Sequence, residues 1–163
     1  MTKVIYEKRN SIAYITLNRP EVHNAIDQET DELLFEAWTE FRQDADARVA
    51  ILTGSGDKTF CAGADLKGRA SVIKGPGDLP AHSRRTRECF HAIRECAKPV
   101  ICAINGAALG SGLAMAASSD ILVVSEKASL GLPEVDVGLL GGCSHAMRLF
   151  SHSKLRRMAL TGL

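Results

Sequence analysis

The chain has 163 residues, 45% of them hydrophobic, which suits one globular domain over residues 1–163 with a core large enough to fold on. Twenty Lys and Arg against nineteen Asp and Glu give a formal net charge of +1, which excludes an overall field drawing the protein to nucleic acid or to a membrane surface. No apolar run reaches the length of a membrane span, the first ten residues lack the apolar core of a signal peptide, and the five cysteines form no Cys-x-x-Cys pair. The expectation is a cytoplasmic protein with reduced, buried thiols and no metal site.

Strands and helices alternate along the chain. Val4 to Arg9 and Ser11 to Leu17, rich in Val, Ile and Tyr around Asn10, predict a hairpin that Asn18-Arg19-Pro20 ends. Asp27 is placed to cap a helix whose Leu33, Leu34, Ala37, Trp38 and Phe41 recur at helical spacing up to Gln43, the stripe of a face packed on a sheet. Arg48 to Thr53 predicts a buried strand, and Gly54-Ser55-Gly56-Asp57 a loop. Lys74 to Pro80 is rich in breakers and precedes a helix over Ala81 to Cys96. Pro99 to Ile104 and Ile121 to Val124 predict further buried strands; Ser144 to Phe150 and Lys154 to Leu160 predict helices. The order is that of an α/β domain with parallel strands.

The segment Pro99 to Asp120 carries the clearest chemical signal. An apolar strand runs through Gly106, Gly110 and Gly112 into the small-residue stretch Leu113 to Ala117. Glycines permit close approach of a ligand to the main chain. A helix beginning near Gly110 or Ser111 would point free NH groups and a positive dipole end at whatever precedes it, a place for developing negative charge. Asp120 predicts a structural hydrogen bond at the junction from helix to strand.

Four ordered stretches carry a resemblance. They are Leu17-Asn18-Arg19-Pro20 with Asn24-Ala25, T-G-S-G-D-K-T-F-C-A-G-A-D-L-K from Thr53 to Lys67, I-N-G-A-A-L-G-S-G from Ile104 to Gly112, and L-G-L-P-E from Leu130 to Glu134. Together the chain resembles the crotonase superfamily, the enoyl-CoA hydratases and isomerases. The resemblance implies an α/β spiral of ββα units, an acyl-CoA thioester as substrate, no separate cofactor since coenzyme A enters with the substrate, and a homotrimer or hexamer. Members are longer, so the chain is expected to lack the C-terminal helical segment that joins subunits. The apolar surface which that segment would cover is expected to stand exposed.

By the same resemblance, the backbone NH groups of Ala64 and Ser111 would hold the thioester oxygen, and Glu134 would transfer the proton. Ser111 stands where glycine is commoner but keeps the NH. Ala62, Ala64, Asp65, Leu66 and Lys67 would contact the substrate's nucleotide and thioester, with Gly110, Ser111 and Gly142 beside them. The simple reading of Gly63-Ala64-Asp65 is a turn in which Asp65 caps a short helix, that of Lys67 a solvated lysine, and that of Asp136 a solvated or capping carboxylate. Hydratases of the family carry a second glutamate at the position of Ala114. A single carboxylate favours moving a double bond, or other enolate chemistry, over adding water.

Two other classes remain open on the sequence. Ser111 with His145 could mark a serine hydrolase, but the residue two before Ser111 is Leu109 where a nucleophile elbow needs glycine, and a lone histidine on a helix is more often structural. A non-catalytic scaffold binding acyl-CoA or RNA is the alternative. Few aromatics and only two basic clusters, Arg84-Arg85 and Lys154 with Arg156-Arg157, speak against RNA.

Overall fold

The computed structural model describes residues 2–68, 75, 77–139 and 141–163. It opens with the predicted hairpin: β1 (Val4–Arg9) and β2 (Ile12–Leu17) pair antiparallel with Arg9 opposite Ile12. Asn10 and Ser11 both take positive φ at the turn, the geometry that matches hairpin twist. In β2 the alternation Ala13, Ile15, Leu17 faces the core. Against it lies α1 (Gln28–Gln43), capped by Asp27, whose side chain accepts from the Thr30 NH and hydroxyl. Leu34, Ala37, Trp38 and Phe41 of α1 are buried, so the stripe read from the sequence is core.

From here the chain repeats one unit, two strands and then helix. β3 (Val49–Gly54), β5 (Val100–Ile104) and β7 (Ile121–Val124) join β2 in a sheet of order β1-β2-β3-β5-β7, parallel apart from the hairpin. Each is followed by a very short strand: β4 (Thr59–Cys61), β6 (Ala107–Leu109) and β8 (Leu130–Gly131) form a second parallel sheet, order β4-β6-β8. The helices after these strand pairs are α2 (Asp78–Arg94), α3 (Ser111–Ser118) and α4 (Cys143–Ala146), with α5 (His152–Thr161) last. This is the expected ββα spiral.

Several boundaries differ from the sequence reading for identifiable reasons. Helix α2 starts at Asp78, not Ala81, because Pro80 lies in its first turn, where a missing NH costs nothing. The segment Ser144 to Phe150 is helical only over Cys143–Ala146 and then turns. Helix α5 reaches from His152, capped by Ser151, to Thr161, where Gly162 ends it at φ 72°. Residues 69–74 and 76, which include part of the breaker-rich stretch before α2, lie outside the described residues.

Candidate active site

The first motif is a brace rather than a site. Asn24 is buried; its amide donates to the carbonyls of Ser55 and Thr59 at 3.0 and 2.9 Å and its oxygen accepts from the Arg19 NH at 2.9 Å. This ties the end of the hairpin to the loop after β3. The Arg19 guanidinium meets Asp65 at 3.0 Å and Asp27 at 3.3 Å. Along the backbone, Ile26 donates to Gly63 and Asp65 donates back to Ile26, each at 2.8 Å, so Ala64 is pinned between two bonds. Asp65 also accepts from the Gly68 NH at 3.0 Å, and that bond, with Arg19, holds its carboxyl below the ordinary range despite partial burial. The chain turns helical at Leu66, so Asp65 is a cap as the simple reading had it.

The second motif then presses on the third. Gly63 has φ 96°, and a Cβ there would sit 3.0 Å from the Leu109 carbonyl oxygen and 3.6 Å from the Ser111 nitrogen. A Cβ at Gly112 would collide with the Cys61 carbonyl, so only glycine lets α3 dock on β4. Gly110 precedes α3 with φ 52° and ψ −116° and no side chain caps the helix. Among the described residues neither the Ala64 NH nor the Ser111 NH donates to another protein group. Two main-chain donors from different motifs are thereby left open beside one another.

Glu134 enters from the fourth motif, at the start of a short 3-10 turn, Pro133–Val137. Its carboxylate lies in a cradle of glycines: a Cβ at Gly110 or Gly142 would stand 3.3 Å from Oε1, and one at Gly141 3.6 Å. Oε2 is buried without a hydrogen-bond partner. Burial pushes the Glu134 carboxyl above its ordinary value, only partly opposed by its own backbone NH.

These groups line one cavity of about 260 Å³. Of the expected residues it brings together Glu134, Ala62, Ala64, Leu66, Gly110, Ser111 and Gly142. Asp65 and Lys67 are not on its wall; Asp65 is held by Arg19, and Lys67 is exposed. Ala114 is fully buried and does not line the cavity. Asp136, read as a solvated or capping residue, is on the cavity wall. Its carboxylate points at the end of α5, where a Cβ on Gly162 would be 2.6 Å from Oδ2. Gly63 and Pro133, both within the quoted motifs, and Val137, Leu139 and Gly141, which nothing in the sequence marked, complete the wall.

The hydrolase reading is corrected by geometry. His145 meets Ser118, not Ser111: its Nδ1 lies 3.1 Å from the Ser118 hydroxyl, which itself donates to the Ala114 carbonyl at 2.8 Å. The hydroxyl proton being committed, Nδ1 must donate, so the ring holds α4 to α3 and is not a base for Ser111. Asp120 likewise has the structural place expected of it, accepting from the Val100 NH at 2.8 Å. Burial raises the thiols of Cys61, Cys89, Cys102 and Cys143, those of Cys61 and Cys102 to about 12. Among the described residues no cluster of His, Cys, Asp and Glu is placed to hold a metal ion, and no helix is long and apolar enough to cross a membrane.

A ββα spiral that brings two open main-chain donors and one desolvated carboxylate to an apolar cavity defines the crotonase class of protein. The family model described as Enoyl-CoA hydratase/isomerase matches residues 7–163, and the chain belongs to that family. It is 39% identical to (E)-benzylidenesuccinyl-CoA hydratase of Thauera aromatica, over 98% of this chain and 62% of the relative. It is 38% identical to carnitinyl-CoA dehydratase of Salmonella heidelberg, over 99% and 62%. The crystal structure of enoyl-CoA hydratase from Bacillus anthracis superposes with a TM-score of 0.90 at 32% identity, covering 99% of this chain and 63% of that one. The chain thus spans about 62% of the length of the relatives it matches.

Proposed function

We propose that the chain acts on an acyl-CoA thioester through an enolate, with the thioester oxygen accepting hydrogen bonds from the Ala64 and Ser111 NH groups and Glu134 as the single base. The observation that carries this reading is the convergence in one cavity of two unpaired main-chain donors and a carboxylate with a buried, unpartnered oxygen. Donors held by the flanking backbone need no reorganisation as charge grows on the oxygen, and in an apolar surround they are worth several kcal/mol in the transition state. Ala62, Leu66, Gly110 and Gly142 would line the path of the substrate. Asp65 shapes that path from behind, and Lys67 would reach a phosphate of coenzyme A from the rim.

With one carboxylate, shifting a double bond follows directly. Glu134 removes a proton from the α-carbon of a 3-enoyl-CoA; the electron pair moves into a dienolate whose oxygen the two NH groups hold. The protonated Glu134 then returns the proton to C4, leaving the double bond between C2 and C3. The raised pKa of Glu134 suits a group that must both take and return a proton. Hydration is the second reading, favoured by the similarity to a hydratase and a dehydratase. It needs a group to activate water, which Ala114 cannot supply. Assaying 3-enoyl-CoA isomerisation and 2-enoyl-CoA hydration side by side, on the wild type and on Glu134→Gln, separates them. Isomerisation lost in Glu134→Gln is the expected result, and rapid hydration that survives the substitution would refute the single-base mechanism.

A further inference from the structure

Helix α4 (Cys143–Ala146) is a single turn, and one turn of helix has no stability of its own, so its place is set by what it docks on. That place matters to the acyl-CoA site. Gly142 precedes the turn, its carbonyl accepting from the Ala146 NH at 3.0 Å, and with Gly141 it closes the cradle around Glu134 Oε1. Two anchors hold the turn. One is Ala146, buried among Leu113, Leu132 and Leu155. The other is His145, among the described residues the one side chain of α4 that hydrogen-bonds to another helix. Its partner at 3.1 Å, the Ser118 hydroxyl, belongs to the last residue of α3, whose first residue, Ser111, carries one of the two open NH groups.

The ring is packed as well as bonded. Phe90 of α2 meets it edge-on, with centroids 5.1 Å apart at 75°, and the His91 ring, itself 3.4 Å from Glu95, stands 6.3 Å away. Burial, and then the charges of His91, Arg94 and Arg148, hold the imidazole below its ordinary value. It is therefore neutral at about pH 8, with its one proton on Nδ1 facing Ser118. Apolar contact at Ala146 has no preferred direction, whereas a hydrogen bond sets distance and angle, so the register of the turn rests on His145. A carboxylate that moves a proton needs its geometry held to fractions of an ångström. We propose that His145 is a positioning residue for Glu134: through Ser118 and Phe90 it fixes α4 on α3 and α2, and so holds Gly141 and Gly142 against the carboxylate.

The test reads Glu134 itself. Its carboxyl carbon is followed through a pH titration by NMR in the full chain labelled with carbon-13 glutamate, the resonance being assigned by its absence from Glu134→Gln. His145→Ala and Ser118→Ala remove the bond from either side, and His145→Asn keeps an amide NH near the place of Nδ1. In both alanine variants the loosened cradle should admit water, so the Glu134 midpoint falls toward that of an exposed glutamate. Their kcat for 3-enoyl-CoA isomerisation should fall about 10- to 100-fold with KM little changed, and His145→Asn should return both readouts toward the wild type. A histidine that merely supports the fold would lower the melting temperature and leave the midpoint in place. Ser118→Ala keeps the question answerable if His145→Ala does not fold. An unmoved midpoint in the folded variants, or His145→Asn no better than His145→Ala, would overturn the assignment. The inference rests on Glu134 as the base, yet the two fail separately because the titration needs no turnover. A midpoint that moves in an enzyme indifferent to Glu134→Gln refutes the base and leaves the positioning role standing.

Discussion

Glu134 and Gly110 are the residues on which the proposed chemistry turns. Glu134→Gln keeps the shape of the side chain and removes the base, so kcat for double-bond migration should fall by about 10²- to 10⁴-fold with melting temperature nearly unchanged. Because desolvation raises the Glu134 pKa, its base form is lost at a higher pH than an exposed glutamate's. The rate should therefore decline as pH falls through a value above 4.5, and an acid limb at or below 4.5 in the kcat profile would contradict that environment. Gly110→Ala tests the cradle: its φ of 52° is costly for alanine, by about 1–3 kcal/mol, and the new Cβ would stand 3.3 Å from Oε1. Activity should drop by more than the loss of stability explains, read from kcat beside a denaturation curve. At this scale the sequence was legible where chemistry follows the backbone. The main chain at Ala64 and Ser111 lines the same cavity as Glu134 as the motif spacing led one to expect, and a serine in a glycine's place still carries the NH. The wall residues Gly141, Val137 and Leu139 were not legible, because they lie in the 3-10 turn that carries Glu134 and in the loop after it, where no periodicity marks a residue that faces a cavity.

At the scale of elements, the contact of α1 with α2 contains a titration that stability should report. Burial raises Asp31 from 3.8 to about 6, against the smaller opposing effects of the Thr86 hydroxyl and Arg85. The unfolded chain therefore gives up this proton first. The folded state has its full advantage below about pH 4 and loses it as pH rises through about 6, a change of about 2–3 kcal/mol for an isolated group. Asp31→Asn, which can still accept from Thr86, should melt higher than the wild type at about pH 8 and lose that advantage at about pH 4; equal melting at both would contradict the burial. Asp27 runs the other way. Burial pushes its carboxyl up, but hydrogen bonds from Lys3 and Thr30 and the charge of Arg19 bring it down to about 2. Its contribution is present above 3.8 and lost as pH falls through about 2, and Asp27→Ala should cost about 1–2 kcal/mol in urea denaturation from the cap alone. Long elements such as α1 were readable from period and cap. Strands β4, β6 and β8 were not, since two or three residues carry no periodicity; their existence follows from the spiral, which places a short strand after each long one.

For the whole molecule, the large sheet ends at β7, whose Ile121, Val123 and Val124 are 53, 59 and 47% exposed. An edge strand with unpaired backbone groups and apolar side chains invites association. Sedimentation velocity on the chain should show concentration-dependent self-association that Val123→Lys reduces; a monomer at all concentrations would show that this edge is innocuous. The sequence reads Ile121 to Val124 as a buried strand because all four residues are apolar; the structure corrects this, since the strand order leaves β7 at the edge of the sheet with Ile121, Val123 and Val124 exposed. The most direct test of the central claim is a crystal structure of this chain with a saturated, unreactive acyl-CoA. The thioester oxygen should lie about 3 Å from both the Ala64 and Ser111 nitrogens, with the Glu134 carboxylate beside the α-carbon. A thioester oxygen out of reach of either nitrogen, or a Glu134 carboxylate turned from the α-carbon, would contradict the account.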